Sequence, residues 1–111
     1  MFRGDLEAMV LGVLQAGEAH GYEIAKRLQS IGGDLLKVGE ARLYPCLHTL
    51  EQEGNVASRW VEQEGKPNRK VYSLTDKGRG ALHEKRKLWT RLSGAIDQVL
   101  SLKPAKGGSD V

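Results

Sequence analysis

Residues 39–54 read GEARLYPCLHTLEQEG, and the fold turns on how this stretch is read. Leu43, Leu47 and Leu50 recur at i, i+4 and i+7, one face of a helix, and Gly54 supplies a stop. The other face carries Arg42, Tyr44, Pro45, His48, Thr49 and Gln52, with no acidic residue before Glu51 and Glu53 at the far end. A helix that buries leucines and holds out a cation, a phenol, an imidazole and an amide is suited to a DNA groove. An ordinary amphipathic surface helix is the plainer alternative. Proline costs roughly 3 kcal/mol inside a helix but little in its first turn, so Pro45 predicts a start near Glu40 to Arg42. That start brings Arg42 and Tyr44 to the positive end of the helix dipole.

At 111 residues the chain has room for one domain. Its 40% hydrophobic and 28% charged residues are those of a soluble globular protein, and no apolar run approaches the ~20 residues of a membrane span. The opening MFRGDLEAMVLGVLQAG places Asp5 and Glu7 ahead of a broken apolar run, so it reads as a helix and not as a signal peptide. One cysteine, Cys46, rules out an intramolecular disulfide and fits a reducing, cytoplasmic setting. Charge is divided unevenly. Residues 1–54 hold five Lys/Arg against eight Asp/Glu, and residues 55–103 hold eleven against five. A phosphate-facing surface is therefore expected in the second half.

Ahead of the central stretch, Leu6, Val10, Val13 and Leu14, widened by Met9 and Leu11, form the face of a core helix from Asp5 to about Gln15, closed by Gly17. A second helix from about Gly21 to Ile31 repeats the pattern with Ile24, Leu28 and Ile31. His20 at its start is expected to fix the turn, since no second ligand stands at a zinc-like spacing. Leu35, Leu36 and Val38 predict a short apolar link or minimal strand. After Gly54, NVASRWVE and RKVYSLT predict two strands joined by a loop containing Gly65, Pro67 and Asn68. Lys66, Arg69 and Lys70 form a cationic group at the tip and return strand, suited to gripping a phosphate, with Glu62 and Glu64 opposing unless they point away.

Three helices followed by a hairpin is the order of a winged helix-turn-helix, in which the third helix enters the major groove and the hairpin flanks it. HGYEIAKRL, GEARLYPCLHTLEQEG and GKPNRKVYSLTDKG together closely resemble the PadR family of transcriptional regulators, over about Leu6 to Trp89. The resemblance implies that Tyr44 touches the DNA backbone, that Arg42 occupies the variable position just before the LYP segment, that His48 lies where side chains approach bases, and that Arg69 and Lys70 are the wing cations. Thr49 and Lys66 complete the expected DNA-binding set. Arg42 stands where many members have Thr or Ser, and Val71 where many have Tyr, so no operator sequence is carried over.

Thr75 is a fair N-cap for a last helix from Asp76 to about Leu102, whose first turn holds Lys77 and Arg79 against the dipole. Leu82, Trp89, Leu92, Ile96, Val99 and Leu100 form a stripe too long for one small domain to cover. A homodimer through this helix, with Leu82, Trp89, Leu92, Ile96 and Val99 at its interface, presents two reading helices to a palindromic operator in double-stranded DNA. The expected organisation is a winged helix-turn-helix over residues 1–75, a dimerisation helix over 76–103 and a disordered tail over 104–111, mainly α with a small β-hairpin wing. The resemblance to short PadR-like members further implies that Trp89 stacks on a planar hydrophobic effector, although interface aromatics are more often plain packing.

The function expected is a dimeric DNA-binding repressor relieved by a small molecule or stress. The alternative is a winged-helix assembly module that binds an acidic protein and no DNA. Enzymatic chemistry has little support. His20, His48 and His83 have no phosphate loop, metal-ligand spacing or Ser-His-Asp set around them, no cofactor is expected, and nothing adjacent in sequence lowers the Cys46 pKa.

Overall fold

The computed structural model describes residues 3–106, in the order α1 (Arg3–Ala16), β1 (Ala19–His20), α2 (Gly21–Gly32), a 3-10 turn (Gly33–Leu36), α3 (Glu40–Gln52), β2 (Val56–Gln63), β3 (Lys66–Leu74) and α4 (Asp76–Leu100). Leu6, Val10, Leu11 and Leu14 of α1, Ile24 and Leu28 of α2, and Leu43, Leu47 and Leu50 of α3 meet in one core, closed on the sheet side by Val56 and Tyr72. Each helix contributes one stripe at 3.6 spacing, so the three leucines of α3 fix which of its faces is left for solvent. Ile31 does not join them. It is 78% exposed, because the chain turns into the 3-10 segment there, and the strand expected around Leu35 is that 3-10 turn.

The end of α3 follows from Gly54. Its φ of 80° lets the Asn55 N–H reach back to the Leu50 carbonyl (2.9 Å) and its own N–H to Glu51 (3.0 Å), the double closure of a Schellman motif. The start is as expected, with Gly39 as N-cap and Glu40 as first helical residue. Pro45 is a correction, since it lies at the sixth helical position, in the second turn. The Ala41 carbonyl therefore has no N–H donor at i+4, and exposure of this side of α3 leaves that carbonyl to water.

The wing is a three-stranded antiparallel sheet in the order β1-β3-β2, one strand more than the hairpin expected. Ala19 and His20 pair with Tyr72 and Val71, so the segment between the first two helices also anchors the wing. Pairing of β2 with β3 runs from Val56–Leu74 to Gln63–Lys66, with an irregularity between Val61 and Gln63. The connection is thus only Glu64 and Gly65, the latter at φ 70°, and Pro67 and Asn68 belong to β3 and not to the loop. Proline is tolerated there because the ladder is already broken opposite it.

Thr75 caps α4 as expected, its hydroxyl accepting the Gly78 N–H at 3.0 Å. Lys77 donates to the Glu53 carbonyl (2.5 Å) at the end of α3, and Arg79 pairs with Asp76 (2.7 Å), so both first-turn cations are matched within the chain. Leu82 and Ala81 pack on the core, and Lys85 reaches Glu7 of α1 at 3.5 Å. Beyond this anchor the helix projects. The chain extends 71 Å along its longest axis, and its radius of gyration is 18.5 Å against about 13 Å for a compact chain of this length. Lys103 to Lys106 continue as exposed irregular chain, and the rest of the expected tail, residues 107–111, lies outside the described residues.

Candidate nucleic-acid interface

The outward side of α3 is built by subtraction. With Leu43, Cys46, Leu47 and Leu50 buried, Arg42, Tyr44 and His48 are left exposed and Thr49 half-buried. Tyr44 is steered further, because its ring lies across Gly21, where a Cβ would stand 2.8 Å from its hydroxyl. Only glycine at the start of α2 allows that approach.

His20 holds the same corner together. Its Nδ1 accepts the Glu23 N–H (3.3 Å), while Glu23 Oε1 accepts the His20 N–H (3.3 Å) and lies 3.1 Å from Nε2, a capping box with an imidazole in the usual Ser/Thr place. A neutral ring protonated on Nε2 serves every contact. Burial pushes the His20 pKa below the ordinary 6.5, opposed by Glu23 and assisted by Arg69 and Arg27. A lowered folded pKa means that the unfolded chain binds the proton more readily, so this contribution is complete above 6.5 and is lost as pH falls through the folded value. Loss of the cap is expected to remove about 1 kcal/mol of stability. Urea unfolding at pH 7.5 and 5.5 should show that decline in wild type and a flatter profile in His20→Asn, which caps without titrating.

The wing cations do not act as one group. Lys70 is half-buried and held within the chain, whereas Arg69 is exposed. Lys70 points to α3, where it meets Glu51 at 3.3 Å and lies 5.5 Å from the Tyr72 ring and 6.0 Å from the Trp60 ring. The Ser58 hydroxyl also donates to Glu51 and, ahead of Lys70, holds its carboxyl below the usual carboxylate range. Arg69 and Lys66 are exposed, as are Glu62 and Glu64. Arg59, which no sequence motif singles out, joins Glu18 at 2.5 Å and ties β2 to the α1–β1 connection. Between the wing and the start of α2 lies a cleft of about 380 Å³ lined by Tyr22, Tyr44, Trp60, Arg69, Lys70 and Tyr72, among others.

Trp89 is 59% exposed on the projecting part of α4, in line with Leu92, Ile96 and Val99. Cys46 is buried against the leucine stripe. Among the described residues no group of three or more His, Cys, Asp or Glu is placed to hold a metal, and no helix is long and apolar enough to cross a membrane.

A polar-faced third helix, a β-wing bracketed to it and a capped second helix beneath define a winged helix-turn-helix protein. The sequence pattern of the transcriptional regulator PadR-like family matches residues 10–84, and the chain belongs to that family, which is one of regulators and not of enzymes. It is 34% identical over 79 residues to the negative transcriptional regulator PadR of Bacillus subtilis, an alignment covering 71% of this chain but 43% of that longer protein. A transcriptional regulator of Mycobacterium tuberculosis is 36% identical over 79 residues, covering 71% of this chain and 70% of the relative. Among solved structures, a PadR family regulator from Eggerthella lenta superposes with a TM-score of 0.81 at 33% identity, covering 91% of this chain and 86% of that one. Bacillus subtilis PadR in complex with operator DNA gives 0.65 at 27% identity, covering 96% and 52%.

Proposed function

We propose that this protein is a homodimeric, sequence-specific DNA-binding regulator that acts as a repressor, with residues 1–75 as reading head and residues 76–103 as dimerisation arm. The observation that carries the reading is the outward face of α3. Arg42, Tyr44 and His48 stand exposed, as do the wing cations Lys66 and Arg69, on a fold it shares with a protein solved on operator DNA. Arg42, His48 and Thr49 approach base edges, Tyr44 and Arg69 meet phosphate, and the stripe Trp89, Leu92, Ile96 and Val99 pairs with its copy across a two-fold axis. Relief by a planar hydrophobic effector at Trp89 would require tighter binding to the arrangement unable to grip DNA.

A promoter fragment flanking the gene, titrated at several salt concentrations, tests the reading. Arg69→Ala should weaken binding and reduce the magnitude of the log Kd against log salt slope by about one for each phosphate it no longer neutralises. Lys70→Ala should weaken it less, because the Lys70 ammonium is partly matched by Glu51. Salt-insensitive or absent binding would favour the assembly module, whose cationic wing meets an acidic protein.

A further inference from the structure

The cleft between α2 and the wing is walled by rings that the core does not use. Trp60 is 67% exposed and Tyr22 64%, whereas Tyr72 beneath them is buried. Tyr44 forms another wall, held there by its contact with Gly21. Trp60 stands opposite Lys70 in the β2–β3 pairing, with that ammonium 6.0 Å from its ring. No lining residue is acidic, and the carboxylate behind Lys70, Glu51, is already engaged by Ser58. β1 covers only Val71 and Tyr72 of the β3 edge, so the stretch carrying Asn68, Arg69 and Lys70 fronts the cleft directly.

An aromatic-walled, cation-bordered trough matches a sugar–phosphate strand, whose deoxyriboses are apolar and whose phosphates are anionic. Duplex geometry leads to the same occupant. With α3 in a major groove and the wing at the neighbouring minor groove, the strand dividing the two grooves must pass between them, and Tyr44 brings α3 to the wall of the cleft beside the wing. We propose that this cleft clamps one backbone strand of duplex DNA, with Trp60 lying against a deoxyribose and Tyr44 and Arg69 reaching the flanking phosphates. The assignment of Trp60 rests on the DNA-binding reading above and adds a contact that fixes register without reading sequence.

The full chain, labelled with 5-fluorotryptophan, has two fluorine resonances to follow, and Trp60→Phe assigns the one from Trp60. On titration with a duplex from the DNA flanking the gene, the Trp60 resonance should shift and saturate together with binding measured by mobility shift. Trp60→Ala should weaken binding to that duplex and to a scrambled duplex by the same factor, about tenfold, leaving their ratio unchanged. Trp60→Phe keeps a ring against the sugar and should bind nearly as wild type, which separates the role of the ring at the DNA from any role in folding. If the duplex binds while the Trp60 resonance stays in place, or if Trp60→Ala binds as tightly as wild type, the clamp is overturned and the regulator reading stands. If neither duplex binds at any salt concentration, both fall.

Discussion

Gly78→Ala is expected to cost on the order of 2–3 kcal/mol of folding stability, a cost usual for overpacking, although an alanine in a helix interior ordinarily gains on glycine. A Cβ at position 78 would stand 2.0 Å from the Asn55 carbonyl oxygen and 2.7 Å from Leu74 Cδ1. That carbonyl cannot swing aside cheaply, because it accepts the Thr75 N–H at 3.2 Å, and Asn55 in turn donates to Leu50 at the end of α3. One added methyl therefore pushes on the junction where α3, β2 and α4 meet. Gly80, two residues on in the same helix, has nothing within 4 Å of its would-be Cβ, and Gly80→Ala should gain up to about 1 kcal/mol. Urea unfolding of the two variants at unchanged slope measures the contrast. Equal midpoints for both would show that the close approach of α4 to Asn55 is not what the glycine serves.

The same junction shows what the sequence can and cannot say. Leucine spacing in α3, the Gly54 stop and the Thr75 cap are local rules, and each is met as periodicity and capping chemistry require. Pro45 escapes those rules because the helix takes the earliest start in the expected range, Glu40, and a proline in the second turn is tolerated once the carbonyl it leaves unpaired lies on the exposed side. The two-residue β1 could not be read from Ala19 and His20, whose strand character exists only in pairing with Tyr72 and Val71. At the candidate interface, the residue types on α3 were legible because a helix has fixed faces. The difference between Arg69 and Lys70 was not legible, because the engagement of Lys70 by Glu51 depends on how β3 crosses α3. Trp60 and Tyr22 look like ordinary core aromatics in the sequence, and only their exposure beside the wing cations marks them. Glu51 illustrates the reverse case. It reads as an unwelcome anion on a DNA-facing helix, yet it serves as the strut that joins α3 to both wing strands through Ser58 and Lys70.

The double substitution Leu92→Asp with Ile96→Asp should give a monomer in sedimentation at micromolar concentration and lower operator affinity by about 100-fold or more, while leaving the winged helix folded. Both side chains are about half exposed in the single chain, so the substitutions remove little from its own core. The inner end of α4 remains fastened through Leu82, Ala81 and the Lys85–Glu7 pair. Across a two-fold axis each aspartate would instead meet its copy and the opposing apolar stripe, a buried like-charge pairing no dimer of this kind tolerates. The lower affinity follows from geometry and not from any DNA contact. Two heads on one frame bind a palindrome with the second half-site at high effective concentration, an advantage of order 10²–10⁴ that separate monomers forfeit. Residual binding by the monomer should then respond to salt with roughly half the wild-type slope, since each head neutralises only its own phosphates. A variant that stays dimeric with unchanged affinity would place the two-fold contact elsewhere on the chain and leave the α4 stripe without a partner.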